Sequence, residues 1–166
     1  MLKKSEDEGW YADEELALLE RVAAARSASP AAFLEVGVFK GRSAAVLSKH
    51  TDHLVLVDTL AMGDFRAEWP KHERYFASVD EAAAGVGDIA LLHQDADHSF
   101  LVVTGHLRVL APKVIRGGVI CLHDYNSSTY PGVRVAWQYW RGHRLDGGKS
   151  WKQLEIAGTL VCFERL

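Results

Sequence analysis

The sequence predicts an α/β fold: a doubly wound, mostly parallel sheet with helices on both faces and an antiparallel hairpin near the C-terminal end. Short apolar segments alternate with segments of helical periodicity, which is typical of βαβ units. The strand-like segments are apolar throughout, as strands covered on both faces are. The last two, 153–156 and 159–163, are separated only by a short segment around Ala157-Gly158, and this spacing favours a hairpin.

The local pattern predicts each element in turn. Apolar residues at helical spacing predict a helix from Asp13 to about Arg26. The helix is predicted to end before Pro30, because proline disfavours helical geometry in the residue before it. The other predicted strands are 33–38, 53–57, 75–78 (a weak one), 88–93 and 119–122. The other predicted helices are 43–49, 80–84, 100–110 and 133–140, and 59–74 is predicted as a loop with one helical turn.

Length and composition indicate one domain over residues 1–166, with an N-terminal helical region in 1–30. The hydrophobic share of 48% and charged share of 25% fit a globular protein with one core. A net charge of -3, mixed along the chain, favours no nucleic-acid partner. The sequence contains no apolar run of about 18 residues that would cross a membrane. The charged N-terminus does not resemble a secretion signal, so we expect a cytoplasmic location.

The turn after the first predicted strand is the first candidate site. Gly37 and Gly41 let the backbone turn sharply and approach a ligand, and Ser43 is placed to cap the next helix or contact that ligand. Asp58 ends the second strand, where a carboxylate can accept hydrogen bonds from both ribose hydroxyls. The turn lacks the G-x-G-x-x-G of dinucleotide sites and the G-K-[ST] of phosphate loops. Glu35 would repel a diphosphate but accept a cationic group.

Acidic and histidine residues follow two later strands. Asp95, Asp97 and His98 come after one strand, and His123 and Asp124 after the next. If these strands are neighbours, the side chains converge at one edge of the sheet. Asp95 and Asp124 are the natural ligands for Mg²⁺, and His123 as a third ligand would shift the preference toward Mn²⁺, Fe²⁺ or Zn²⁺. A polar substrate pocket without a metal fits the same residues, and Asp97 is placed to cap a helix.

Together these segments resemble class I S-adenosylmethionine-dependent methyltransferases, which have a Rossmann-like fold. The similarity covers roughly residues 30 to 140 and includes the terminal hairpin. The most similar branch contains the macrocin O-methyltransferase-like and methyltransferase-24-type domains. The residues that carry it are the turn 35–43, Asp58, the segment 95–100, Arg116-Gly117-Gly118-Val119-Ile120-Cys121-Leu122-His123-Asp124-Tyr125 and Pro131-Gly132-Val133-Arg134.

The resemblance implies S-adenosylmethionine as the cofactor. It places Glu35 and Gly37 near the methionine part and Asp58 at the ribose. It also implies that Ser78 and Val79 border the adenine, although the segment before them is shorter than in the family because the usual intervening helix is cut down.

The resemblance to catechol-type enzymes implies a metal beside the cofactor, which those enzymes hold with an aspartate after the fourth strand and an acid/amide pair after the fifth. Asp95 and Asp124 match the two acidic positions, and His123 is the candidate third ligand here. The general base in that arrangement lies three residues beyond the first aspartate, which is His98 here. Its ordinary pKa of about 6.5 suits proton abstraction near neutral pH, and a purely positioning role for His98 stays open.

The predicted function is therefore methyl transfer to a hydroxyl of a small-molecule acceptor. Two alternatives remain: a nonmethylating metal- or nucleotide-binding protein of the same fold, and an NAD-dependent oxidoreductase. Against the oxidoreductase stand the missing third glycine and the absence of a Tyr-x-x-x-Lys pair. Because a small domain leaves the site open, we also expect a homo-oligomer to complete it.

Overall fold

The computed structural model describes residues 10–143 and 150–166; residues 1–9 of the predicted N-terminal region lie outside them. The helices are α1 (Asp13–Ala24), α2 (Arg42–Leu47), α3 (Val79–Gly85), α4 (Phe100–Leu110) and α5 (Gly132–Gly142), with short 3₁₀ turns at Arg66–Glu68 and Ala111–Lys113. The strands are β1 (Ala32–Val36), β2 (Leu54–Val57), β3 (Arg74–Phe76), β4 (Ile89–Gln94), β5 (Val114–Leu122), β6 (Trp151–Ala157) and β7 (Leu160–Arg165).

One seven-stranded sheet organises the fold, in the order β3-β2-β1-β4-β5-β7-β6. The first five strands in this order run parallel, and β7 pairs antiparallel with both β5 and β6. The predicted fold class is confirmed. The strand order reverses between β1 and β4, because β2 and β3 are added on one side of β1, and β4 and β5 on the other side. Sheets of this kind bind ligands beyond the carboxyl ends of the strands at such a reversal.

Each face of the sheet carries its own apolar cluster. On one face α3, α4 and α5 pack against the sheet, and Trp137 and Trp140 of α5 belong to that core. On the other face α1 and α2 cover the sheet through residues such as Leu18 and Leu47. Side chains of successive strand residues point to opposite faces. Leu34 and Val36 therefore lie in the first cluster, whereas Phe33 lies in the second.

The largest difference from the predicted elements is at β5, which begins at Val114 and not at residue 119. Ile89 of β4 pairs with Val114 and Leu91 pairs with Val119, so residues 115–118 bulge out between the two pairs. Gly117 lies in this bulge with a φ of 75°. A glycine pair inside a strand weakens the strand pattern, and for this reason the sequence indicated only the second half of β5.

No helix within residues 10–143 and 150–166 has both the length and the apolar character of a membrane span.

Candidate functional site

A cavity of about 1190 Å³ opens at the carboxyl edge of the sheet, over the reversal between β1 and β4. This volume exceeds the range of about 300–1000 Å³ that is common for a single small ligand. The cavity therefore has room for two molecules side by side. Of the residues predicted to form the site, those lining it are Gly37, Ser43, Asp58, Ser78, Val79, Asp95, Asp97, His98, His123 and Asp124.

At the end of β1, the close packing of two backbone segments requires a glycine at position 37. Its φ is 88°, and a Cβ atom at this position would lie 2.1 Å from the carbonyl oxygen of Asp95. The segment after β4 can therefore approach the turn only because residue 37 has no side chain. Gly41 also has a positive φ, 78°, and precedes α2 as its N-terminal cap residue.

Ser43 and Glu35 lie deeper than the sequence suggested. The Ser43 hydroxyl donates to Oε1 of Glu35, so the prediction that Ser43 caps α2 is wrong: the cap position belongs to Gly41. Glu35 is fully buried on the α1–α2 face, behind the cavity wall that Val36 and Gly37 form. Burial raises the pKa of Glu35, against the opposing effect of the nearby His93.

Asp58 holds the glycine turn in place from the end of β2. Its Oδ2 accepts hydrogen bonds from the backbone N–H groups of Val38 (2.8 Å) and Phe39 (3.0 Å), and its Oδ1 accepts one from Leu60 (2.7 Å). A carboxylate offers about four lone-pair positions. Three are used here, which leaves one toward the cavity. Asp58 therefore lines the cavity and also supports the turn.

Ser78 and Val79 border the cavity at the start of α3. The Ser78 hydroxyl accepts a hydrogen bond from the backbone N–H of Glu81, which makes Ser78 the N-cap of this helix. Between Asp58 and β3 the chain forms only the 3₁₀ turn, as the short spacing predicted.

Asp95, His98 and Asp124 converge at the other end of the cavity. One potential ligand atom from each lies within 4.8 Å of the other two. His98 Nε2 is 3.1 Å from Asp124 Oδ2 and 3.9 Å from Asp95 Oδ1. His123 Nδ1 lies between the same carboxylates, 3.1 Å from Asp95 and 3.2 Å from Asp124. We call these four residues the acid–histidine cluster.

Charge within the acid–histidine cluster is balanced by the two imidazoles. Contacts with Asp124 and Asp95 raise the pKa of His98 to about 9. Burial opposes the charged form of His123, but Asp95, Asp124 and Glu15 outweigh it and raise the pKa of His123 to about 12. The pKa of His98 therefore lies above the ordinary value of about 6.5 from which its role as a general base was predicted. At pH 7 the His98 imidazole already carries a proton that the carboxylates stabilise. It can accept a proton from another group only when these contacts are weakened.

Asp97 lies apart from the acid–histidine cluster. Its Oδ1 accepts a hydrogen bond from the backbone N–H of Ser99 at 2.6 Å, and Ser99 is the N-cap residue of α4. The prediction that Asp97 caps α4 is therefore wrong: the cap position belongs to Ser99, and Asp97 binds the backbone N–H of that residue just before the helix begins.

Three further residues belong to the site although the sequence did not predict them there: Tyr11, Glu15 and His93. Tyr11 donates its hydroxyl hydrogen to Asp95 Oδ2 at 2.6 Å. Glu15 of α1 lies 3.5 Å from His123 Nε2, and the fully buried His93 lies 3.0 Å from the Tyr11 hydroxyl. The sequence signal for His93 was its position in an apolar strand, where a buried histidine needs a partner.

The residues present fit both groups that the resemblance implies. For a cation, Asp95 and Asp124 supply two carboxylates, and His123 Nδ1 lies within 3.2 Å of both. The buried Nε2 of His98 faces the same carboxylates without a well-aligned hydrogen bond to any described residue, as a proton acceptor beside that cation would. For S-adenosylmethionine, Asp58 borders the cavity with one lone pair to spare. Glu35 Oε2 is likewise buried without a hydrogen-bond partner among the described residues, and the turn in front of it carries no phosphate-binding pattern.

Comparison with known proteins supports the same family. A family model described as a methyltransferase domain matches residues 34–125, more than half of the chain. A search among curated proteins found no match.

Solved structures share the fold at low identity. The O-methyltransferase NovP has 15% identity and a TM-score of 0.71, over 92% of this chain and 79% of its own. An O-methyltransferase from Bacillus cereus, solved in complex with SAH, has 12% identity and a TM-score of 0.68, over 94% and 83%. MycE, a methyltransferase of the mycinamycin biosynthetic pathway solved with Mg, SAH and mycinamycin VI, has 14% identity and a TM-score of 0.66, over 90% and 48%. From the matched segment and the shared architecture, the chain belongs to the methyltransferase-domain family and has the class I S-adenosylmethionine-dependent methyltransferase fold.

Proposed function

We propose that the protein transfers the methyl group of S-adenosylmethionine to a hydroxyl group of a small-molecule acceptor, with a divalent cation in the acid–histidine cluster. One observation carries the proposal: a single cavity joins the glycine turn and Asp58 at one end to Asp95, His98 and Asp124 at the other. Its volume fits a cofactor beside an acceptor.

The cofactor half of the cavity uses the ends of β1, β2 and β3. S-adenosylmethionine supplies a methyl group on a cationic sulfur. Gly37 and Gly41 shape the turn around the methionine part, and Glu35 and Ser43 support that turn from behind. Asp58 uses its remaining lone pair for the ribose. Ser78 and Val79, at the start of α3, border the adenine.

The acceptor half uses the acid–histidine cluster. Asp95 and Asp124, with His123 as the third side chain, would hold the cation, which would orient the acceptor hydroxyl and lower its pKa. A cation that drew the two carboxylates away from His98 would lower the pKa of its imidazole, and His98 could then take the hydroxyl proton. Placing the acceptor oxygen in line with the methyl group supplies much of the catalysis. The SAH of the Bacillus cereus enzyme, and the Mg and SAH of MycE, support this pair of ligands.

The first test is calorimetric titration of S-adenosylmethionine into the wild-type protein and into Asp58→Ala and Asp52→Ala variants. We expect binding by the wild type, loss or strong weakening in Asp58→Ala, and unchanged affinity in Asp52→Ala. Asp52 is the matched control because it is exposed at the opposite end of β2. A folded wild-type protein that does not bind the cofactor would contradict the proposal.

The second test addresses the cation and the acceptor. Sugars, phenols and hydroxylated natural products are incubated with the cofactor in Mg²⁺, in Mn²⁺ and in EDTA. We expect methyl transfer to hydroxylated acceptors only where a divalent cation is present. Full activity in EDTA would remove the cation from the proposal and leave the polar pocket without a metal.

A further inference from the structure

A buried chain of hydrogen bonds connects the cofactor turn with the acid–histidine cluster. Glu35 of β1 and His93 of β4 are register partners on neighbouring strands, and both side chains are fully buried. His93 Nδ1 lies 2.9 Å from Glu35 Oε1, and His93 Nε2 lies 3.0 Å from the Tyr11 hydroxyl. Tyr11 is therefore the link from this buried pair to Asp95.

The single hydrogen of the Tyr11 hydroxyl sets the direction of these bonds. It is donated to Asp95 Oδ2, so the hydroxyl oxygen accepts from His93 Nε2–H. A hydroxyl bound on both sides keeps one orientation and holds one oxygen of the Asp95 carboxylate. The other oxygen, Oδ1, then faces the cluster, 3.1 Å from His123 Nδ1.

Packing holds the Tyr11 ring independently of its hydroxyl. The side chain is buried, and its ring centroid lies 4.3 Å from that of His123. The backbone is anchored as well, because the Arg42 guanidinium donates to the Tyr11 carbonyl oxygen at 3.2 Å. A phenylalanine at position 11 would therefore keep the ring in place and remove only the hydrogen bond to Asp95.

We propose that Tyr11 is a positioning residue of the active site. Its hydroxyl fixes the Asp95 carboxylate so that Oδ1 points into the acid–histidine cluster, and His93 with Glu35 fixes the hydroxyl. The inference rests on the proposed function, since Asp95 is positioned for a cation and an acceptor. Loss of a hydrogen-bond partner behind a metal ligand costs about 10–100-fold in metal affinity or activity.

The test combines crystal structures with Mn²⁺ titrations of the wild type, Tyr11→Phe and the control Tyr139→Phe. Tyr139 is a partly exposed tyrosine of α5 that packs on Phe100. In Tyr11→Phe we expect Asp95 Oδ1 to leave His123, and the Mn²⁺ affinity to fall by about ten-fold or more. The S-adenosylmethionine affinity is expected to stay at the wild-type value. Tyr139→Phe is expected to bind Mn²⁺ as the wild type does.

Each outcome decides one question. Should Asp95 keep its Oδ1 contact in Tyr11→Phe while Mn²⁺ binds as tightly as to the wild type, the positioning role is overturned. If the wild type binds S-adenosylmethionine but no Mn²⁺, the cation of the proposed function is contradicted. The crystal structures of the wild type and Tyr11→Phe still decide the role of Tyr11 in that case. If Tyr11→Phe does not fold, His93→Asn removes the imidazole that orients the hydroxyl, which then keeps only its bond to Asp95. We expect a smaller displacement of Asp95 Oδ1 from His123 in that variant, and a carboxylate that stays in place would contradict the fixing of the hydroxyl by His93.

Discussion

At the scale of single residues, the backbone of Asp124 explains how its carboxylate reaches the cluster. Its φ is 57°, in the left-handed region that few residues other than glycine adopt, although Asp and Asn tolerate it better than most. The backbone N–H of Asp124 donates to the Thr159 hydroxyl at 3.3 Å, which helps to hold this conformation. Such strain costs about 1–3 kcal/mol and concentrates at functional sites.

Asp124→Asn separates charge from backbone conformation, because asparagine also tolerates the left-handed region. We expect the variant to fold and its Mn²⁺ affinity to fall by more than about ten-fold, since a ligand counts for more than its hydrogen-bond partners. Calorimetric titration measures this loss. Asp97→Asn is the matched control, because Asp97 binds the backbone N–H of Ser99 and is not a member of the acid–histidine cluster. Equal affinity in Asp124→Asn and the wild type would exclude Asp124 as a ligand.

Gly37→Ala tests the close approach at the end of β1. A methyl group at this position would lie 2.1 Å from the Asp95 carbonyl oxygen, on a backbone with a φ of 88°. We expect the free energy of unfolding to fall by at least about 2 kcal/mol, from overpacking and left-handed strain together. Urea denaturation measures it. Gly87→Ala, where a Cβ atom would meet nothing within 4 Å, should stay close to the wild type. A stable Gly37→Ala would show that the turn can open.

His106 makes stability depend on pH. Burial lowers the pKa of this imidazole, whose Nδ1 lies 3.0 Å from Gln94 Oε1. The unfolded chain then binds more protons below its ordinary pKa of about 6.5, so the stability that neutral His106 contributes is present above that pH and is lost as the pH falls. We expect the difference in unfolding free energy between the wild type and His106→Gln to shrink from about pH 7.5 to pH 5. A difference that stays constant would contradict this.

At the scale of elements, α1 and the β6–β7 hairpin meet through one carboxylate. Glu15 Oε1 accepts hydrogen bonds from the backbone N–H and the hydroxyl of Thr159, both at 2.8 Å. Its Oε2 accepts one from the backbone N–H of Ala12 at 2.7 Å. The close approach of the hairpin turn to Glu15 requires a glycine at position 158, because a Cβ atom there would lie 2.7 Å from Glu15 Oε1.

Glu15→Gln should loosen this contact between α1 and the hairpin. An amide offers one accepting oxygen where the carboxylate offers two, and hydrogen bonds to a charged group stabilise by about 1.5–3 kcal/mol. We expect an unfolding free energy lower by about that amount, measured by urea denaturation. Glu14→Gln, the exposed neighbour on α1, serves as the control. If both variants lose equally little, the Glu15 carboxylate does not hold the hairpin.

The sequence predicted the order and type of the elements because each carries a local signal. Apolar runs and turn residues mark the buried strands, and only the bulge at Gly117 hid the first half of β5. The meeting of Asp95, His98 and Asp124 was also predictable, since all three follow neighbouring parallel strands. Tyr11 and Glu15 could not be predicted, because α1 has no fixed place in the strand pattern and reaches the site only by packing on the other face.

At the scale of the whole molecule, the same fold occurs in proteins that share few identical residues with this chain. NovP aligns over 92% of the chain with a TM-score of 0.71 at only 15% identity. What such a relative shares with the chain is the fold. A fold alone does not identify a substrate, because function depends on the side chains of the site.

The hydrogen bonds between Glu15 and Thr159 have a consequence for folding kinetics. The two residues are 144 positions apart, so the contact closes a very long loop, and nonlocal contacts of this kind form slowly. Thr159 also holds Asp124, and Glu15 lies against His123. In refolding experiments the helical circular dichroism signal should therefore recover first, and Mn²⁺ binding should return in a later phase. Simultaneous recovery of both signals would mean that the cluster assembles before α1 and the hairpin dock.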